Sequence, residues 1–151
     1  MSRVLVVANE TVEADELLAE LRRIEDQRAS VFRVVAPAVA ADHGLGKSWN
    51  QAGAIDAAQA RLDRTLAVLR GEGLDADGWV GDMLPVAAVR DALDRFDADM
   101  IVISTHPLTR SRWLRKDVVA QVEKLFGGPV VHIVSHVGEH VPEQPSAEPA
   151  S

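Results

Sequence analysis

Short runs of aliphatic residues recur along the chain, and between them the apolar positions spread out to helical spacing. Residues 3–8 read Arg-Val-Leu-Val-Val-Ala, a near-continuous apolar run of the kind buried on both faces of a parallel sheet. From 11 to 28, Val12, Leu17, Leu21 and Ile24 share one helical face. Thr11 can cap that helix, and Glu13, Asp15 and Glu16 suit the positive end of its dipole. Residues 31–36 predict a second strand, halted by Pro37. After an aperiodic stretch from 38 to about 51, Ile55, Ala58, Leu62, Leu66 and Leu69 trace a second helical stripe that ends near Gly71 and Gly73. Residues 77–81 read as a third strand. Pro85 opens a third helix with Val86, Val89, Leu93 and Phe96 as its buried face. Residues 100–103 form the fourth strand. Leu114, Val118, Val122 and Leu125 mark the fourth helix, and 130–134 the fifth strand.

The alternation β-α-β-α-β-α-β-α-β predicts an α/β fold, a single five-stranded parallel sheet with helices on both faces and right-handed crossovers. The 151 residues suffice for one domain with its own core. That domain is expected over 1–135. Residues 136–151 hold three of the seven prolines without apolar period and are expected to be a disordered acidic tail. Two of the three tryptophans are expected to pack, Trp79 in the core and Trp113 as a seal at the head of the fourth helix.

Charge changes this picture in one place. The chain carries −7 overall, yet residues 105–116 hold Arg110, Arg112, Arg115 and Lys116 and no acid. The remaining residues therefore carry −11, which argues against nucleic-acid or anionic-membrane binding and for a local anion site. No run is long and apolar enough to span a bilayer, and Met1-Ser2-Arg3 leads straight into a strand, so a cytoplasmic location is expected. Cysteine is absent, which removes disulfides, thiol nucleophiles and cysteine metal sites.

The loop after the fourth strand lies where open α/β sheets bind ligands, beyond the carboxyl ends of the strands. Ser104, Thr105 and His106 stand at its start, with a hydroxyl donor and an imidazole to offer an anion. Arg110 and Arg112 can supply forked donors to phosphate or carboxylate. The same cations also fit a solvated loop that pairs with acids elsewhere. A phosphoacceptor domain would need an acidic pair after the first strand and a lysine after the fifth; Ala8-Asn9-Glu10 and His132-Ile133-Val134 supply neither. A glycine-rich dinucleotide turn is missing from Ala8-Asn9-Glu10-Thr11. Gly44-Leu45-Gly46-Lys47-Ser48 resembles part of a P-loop, but Ala41 stands where its first glycine belongs and no strand leads into it. His136 and His140 have zinc-like spacing in a proline-rich tail without a carboxylate arrangement, so no metal site is expected.

Several segments, in order, resemble the universal stress protein family over roughly 3–134. They are Asn9-Glu10-Thr11 for an Asp-x-Ser/Thr strand end, and Gly81-Asp82-Met83-Leu84-Pro85 for a Gly-Asp-Pro-like turn. Ala98-Asp99-Met100-Ile101-Val102 matches the fourth-strand entry and Pro129-Val130-Val131 the fifth strand. The resemblance implies a Rossmann-like fold of the adenine nucleotide alpha hydrolase type, strand order 3-2-1-4-5. It also implies a site for ATP, AMP or another nucleotide at the tips of strands 1, 2 and 4. Asn9 would then meet base or ribose, with Thr11 of the same strand end also in the site, and Ala36 with the following backbone would flank the adenine. The family's Gly-x2-Gly-x9-Gly-Ser/Thr motif falls on Ser104, Pro107, Asp117 and Val118, so every glycine is lost. Pro107 has no N–H to donate, and Asp117 adds a negative charge where phosphate would sit.

The expected ligand site is thus Asn9, Thr11, Ala36, Ser104, Thr105, His106, Arg110 and Arg112. The resemblance implies a cytoplasmic stress-response regulator or sensor that binds a nucleotide or other small anion, and a homodimer through strand 5, Val130–Val134. The alternative is a dimeric interaction module with a degenerate site. No catalytic constellation is present, which favours a non-enzyme; a transferase or hydrolase using Glu10 and His106 is the third reading.

Overall fold

The computed structural model describes residues 1–8, 15–38, 51–105 and 118–134. Its strands are β1 (Ser2–Ala8), β2 (Ser30–Pro37), β3 (Asp75–Gly81), β4 (Met100–Thr105) and β5 (Val130–Val134). Its helices are α1 (Asp15–Gln27), α2 (Gln51–Gly71), α3 (Pro85–Arg95) and α4 (Val118–Phe126). The five strands form one parallel sheet in the order β3-β2-β1-β4-β5, as expected. β1 is central, matched to β2 from Ser2↔Ser30 to Val7↔Val35 and to β4 from Val4↔Met100 to Ala8↔Ser104.

The apolar runs of β1, β2 and β4 follow from burial on both sides. Val4, Val6, Phe32, Val34 and Val102 face Leu17 and Leu21 of α1 and Leu62 and Leu69 of α2. Leu5, Val7, Val35, Ile101 and Ile103 face Ala88, Val89 and Ala92 of α3 and Val118 and Val122 of α4. This division of helices is what right-handed crossovers demand when the chain first winds outward through β2 and β3 and then returns to β4. Each enclosed aliphatic side chain contributes about 1.5–3 kcal/mol by leaving water.

At the amino ends of the strands, Asp99 locks β1 beside β4. The Arg3 N–H donates to Asp99 Oδ2 at 2.9 Å, and the Asp99 N–H donates to the Arg3 carbonyl at 2.7 Å. The Arg3 guanidinium also donates to the Asp97 carbonyl at 2.7 Å and lies 4.6 Å from the Phe96 ring centroid.

β2 ends at Pro37 as expected, with Pro37 itself the last strand residue, opposite Gly81. The next residue supplies the missing donor, the Ala38 N–H lying 3.3 Å from the carbonyls of both Gly81 and Asp82. Three other expectations are corrected. Ile55 is 42% exposed, because it lies near the amino end of α2 and lines a cavity instead of the core. Leu125 is 38% exposed, which leaves Val118 and Val122 as the enclosed face of α4. Trp79 is half-buried, not core: edge strand β3 has one neighbour, and the Arg95 guanidinium covers the ring at 4.9 Å. Thr11, Val12, Leu114, Trp113, His136, His140 and the tail lie outside the described residues.

Candidate ligand site at the strand tips

The sheet order creates one topological switch. From β1 the chain moves outward to β2 and β3, then crosses back to β4 and continues to β5. The crossovers leaving β1 and β4 therefore depart to opposite sides, which makes their carboxyl ends the position where open α/β sheets bind ligands. Ala8 and Ser104, the last matched pair there, are both small. β4 extends two residues beyond the sequence expectation, so Ser104 and Thr105 belong to the strand.

Of the expected site residues, Ala36, Ser104 and Thr105 are described; Asn9, Thr11, His106, Arg110 and Arg112 lie outside the described residues. Ala36 is 1% exposed, with its side chain in the core beneath α1 and α2. Ser104 and Thr105 are fully enclosed. They point to opposite faces of β4, since successive strand residues alternate. Thr105 Oγ1 lies 2.9 Å from Nε2 of His132 in β5. Ile103 is matched to His132 and Thr105 to Val134, so Thr105 and His132 are diagonal neighbours on the α4 side.

Two features at the same pole were not anticipated from the sequence. His132 is the single polar residue in Val-Val-His-Ile-Val, and that interruption was its available signal. Arg61 interrupts the apolar stripe of α2 between Ala58 and Leu62, and its Nη2 lies 3.5 Å from the Pro37 carbonyl at the tip of β2. A guanidinium on the inner side of a helix is costly unless polar groups receive it, and here the Pro37 carbonyl receives Nη2.

Beside these tips a cavity of about 300 Å³ is lined by Ala38, Ile55, Val80, Gly81, Asp82 and Met83. It lies at β2 and β3, displaced from the tips of β1 and β4. Asp82 Oδ1 accepts the Leu84 N–H at 2.9 Å, which fixes the turn into α3. Among the described residues no group of three or more His, Asp or Glu side chains could hold a metal ion. No helix among them is long and apolar enough to cross a membrane.

No protein-family model and no curated protein sequence matches the chain. Solved structures do. The universal stress protein from Archaeoglobus fulgidus in complex with dAMP is 23% identical with a TM-score of 0.59, covering 88% of this chain and 97% of its own. A universal stress protein family member from Arabidopsis thaliana with AMP bound is 16% identical with a TM-score of 0.61, covering 95% and 98%. One from Burkholderia pseudomallei is 16% identical with a TM-score of 0.62, covering 89% and 96%. With the strand order and the two-sided helix cover, these likenesses establish that the chain has the fold of the universal stress proteins.

Proposed function

We propose that the chain is a divergent universal stress protein, a cytoplasmic regulator or sensor that binds an adenine nucleotide or related anion across the carboxyl ends of β1, β2 and β4. The observation that carries this reading is the reversal of winding between β1 and β4, with small residues Ala8 and Ser104 matched at the switch point. The AMP and dAMP held by two fold neighbours support the ligand class. Ser104 and Thr105 form the floor. Asn9 and Thr11 after β1, and the backbone following Ala36, meet the nucleoside. Arg110 and Arg112 replace the lost glycine cradle with charged donors, which suit phosphate by bidentate hydrogen bonding, and His106 adds a single imidazole donor. Isothermal titration with AMP, ATP and cyclic AMP tests the reading. Saturable binding that weakens in Arg110→Ala and His106→Ala is expected; binding indifferent to both substitutions removes the site.

A second reading is favoured by β5, which is bonded to β4 alone and leaves Val130, Val131 and Ile133 half-exposed at the sheet edge. Such an edge needs cover, and a second copy pairing through Val130–Val134 supplies it. In this reading the chain is a dimeric interaction module. Light scattering at tens of micromolar, roughly the range of weak specific association, should report a dimer. A monomer at that concentration excludes this pairing.

A further inference from the structure

We infer that His132 is a positioning residue for the strand-tip site and acts through Thr105; the inference rests on the nucleotide reading above. The imidazole is set into an otherwise apolar edge strand, where a valine or isoleucine would satisfy packing without desolvating a polar ring. Its Nε2 is 2.9 Å from Thr105 Oγ1, and the two side chains sit diagonally on the α4 side of neighbouring strands. Thr105 is fully enclosed and is the last residue of β4, the strand whose tip lies at the topological switch point. Its hydroxyl can donate to Nε2 or accept from an Nε2–H, and either arrangement holds the threonine side chain in one orientation. The bond therefore pins the end of β4 to β5 at the point where the chain leaves the sheet. Thr105 already appears in the sequence-based site; His132 gives it a fixed geometry and ties the edge strand to ligand affinity.

A double-mutant cycle on the full chain tests the coupling, with AMP as the titrant and thermal midpoints recorded alongside. His132→Val and Thr105→Val should each weaken AMP binding by about five- to tenfold, the loss of one hydrogen bond. The double variant should be no weaker than either single one. His132→Gln, whose amide nitrogen can reach the Nε2 position, should restore affinity toward that of the parent, as should Thr105→Ser, which keeps the hydroxyl. Parent-like binding in both valine variants overturns the inference, and so do losses that multiply in the double variant. A loss that glutamine fails to repair also overturns it. If the parent chain itself does not bind AMP, the nucleotide reading fails first and takes this inference with it.

Discussion

Gly78 in β3 offers a sharp test of how the edge of the sheet is built. It is matched to Val34 of β2, and its N–H donates to Asp77 Oδ1 at 2.8 Å. A Cβ placed there would stand 2.2 Å from the Val34 carbonyl oxygen and 3.0 Å from Leu62 Cδ1. The first contact is with backbone, so Gly78→Ala cannot be absorbed by turning a side chain; β3 must move away from β2 by more than an ångström. Overpacking of this kind costs about 1–3 kcal/mol. Alanine recovers roughly 0.4–1 kcal/mol by restricting the unfolded chain. The net expectation is a loss of about 1–2 kcal/mol, which at this chain length lowers the thermal midpoint by roughly 2–8 °C. Gly71, the last residue of α2, is the control. A Cβ there meets nothing within 4 Å, and its φ is not positive. Gly71→Ala should therefore gain about 0.5–1 kcal/mol. Circular dichroism melts of the two variants and the parent make the comparison. A Gly78→Ala midpoint at or above the parent's would refute the claim that β3 approaches β2 this closely.

Four further outcomes follow from the packing. Leu21→Ala opens a fully enclosed position beneath α1 and should cost about 2–5 kcal/mol in urea unfolding, far more than the same change at half-exposed Leu125. Gly127 adopts φ +74° after α4, so Gly127→Ala should destabilise by roughly 1–2 kcal/mol although space is open around it. Asp99→Ala removes the acceptor of the Arg3 N–H and should cost about 0.5–1.5 kcal/mol, with faster hydrogen exchange at Arg3 as its local signature. Arg95→Ala uncovers one face of Trp79, which should expose the indole to acrylamide quenching at a stability cost of about 0.5–1 kcal/mol.

Sequence pattern locates a residue correctly where the element it sits in decides its surroundings. The runs at β1, β2 and β4 are apolar at almost every position because helices cover both faces, and that pattern is visible without coordinates. The stop at Pro37 is legible in the same way, since proline lacks a donor, although the Ala38 N–H beyond it still bonds the carbonyl of Gly81 in β3 and that of Asp82 just past it. Apolar spacing misleads at element ends. Ile55 and Leu125 had correct helical spacing, but spacing gives the direction of a side chain and not whether anything lies opposite it. Trp79 looked like core by size, while its place on an edge strand left one face to Arg95.

The site divides in the same way. Ser104 and Thr105 could be placed at a strand tip from local pattern, and Asp99 could be noticed as part of a strand entry. That Asp99 serves the backbone of Arg3, 96 positions away, is decided by the pairing of β1 with β4. The contact of Thr105 with His132 likewise depends on a register between β4 and β5 that no local rule specifies. Periodicity, a one-dimensional property of hydrophobic burial, was enough to determine element order, sheet class and the faces that must be covered. Partnership between polar groups needed the assembled sheet, because hydrogen bonds act over about 3 Å and only the folded chain brings distant residues that close.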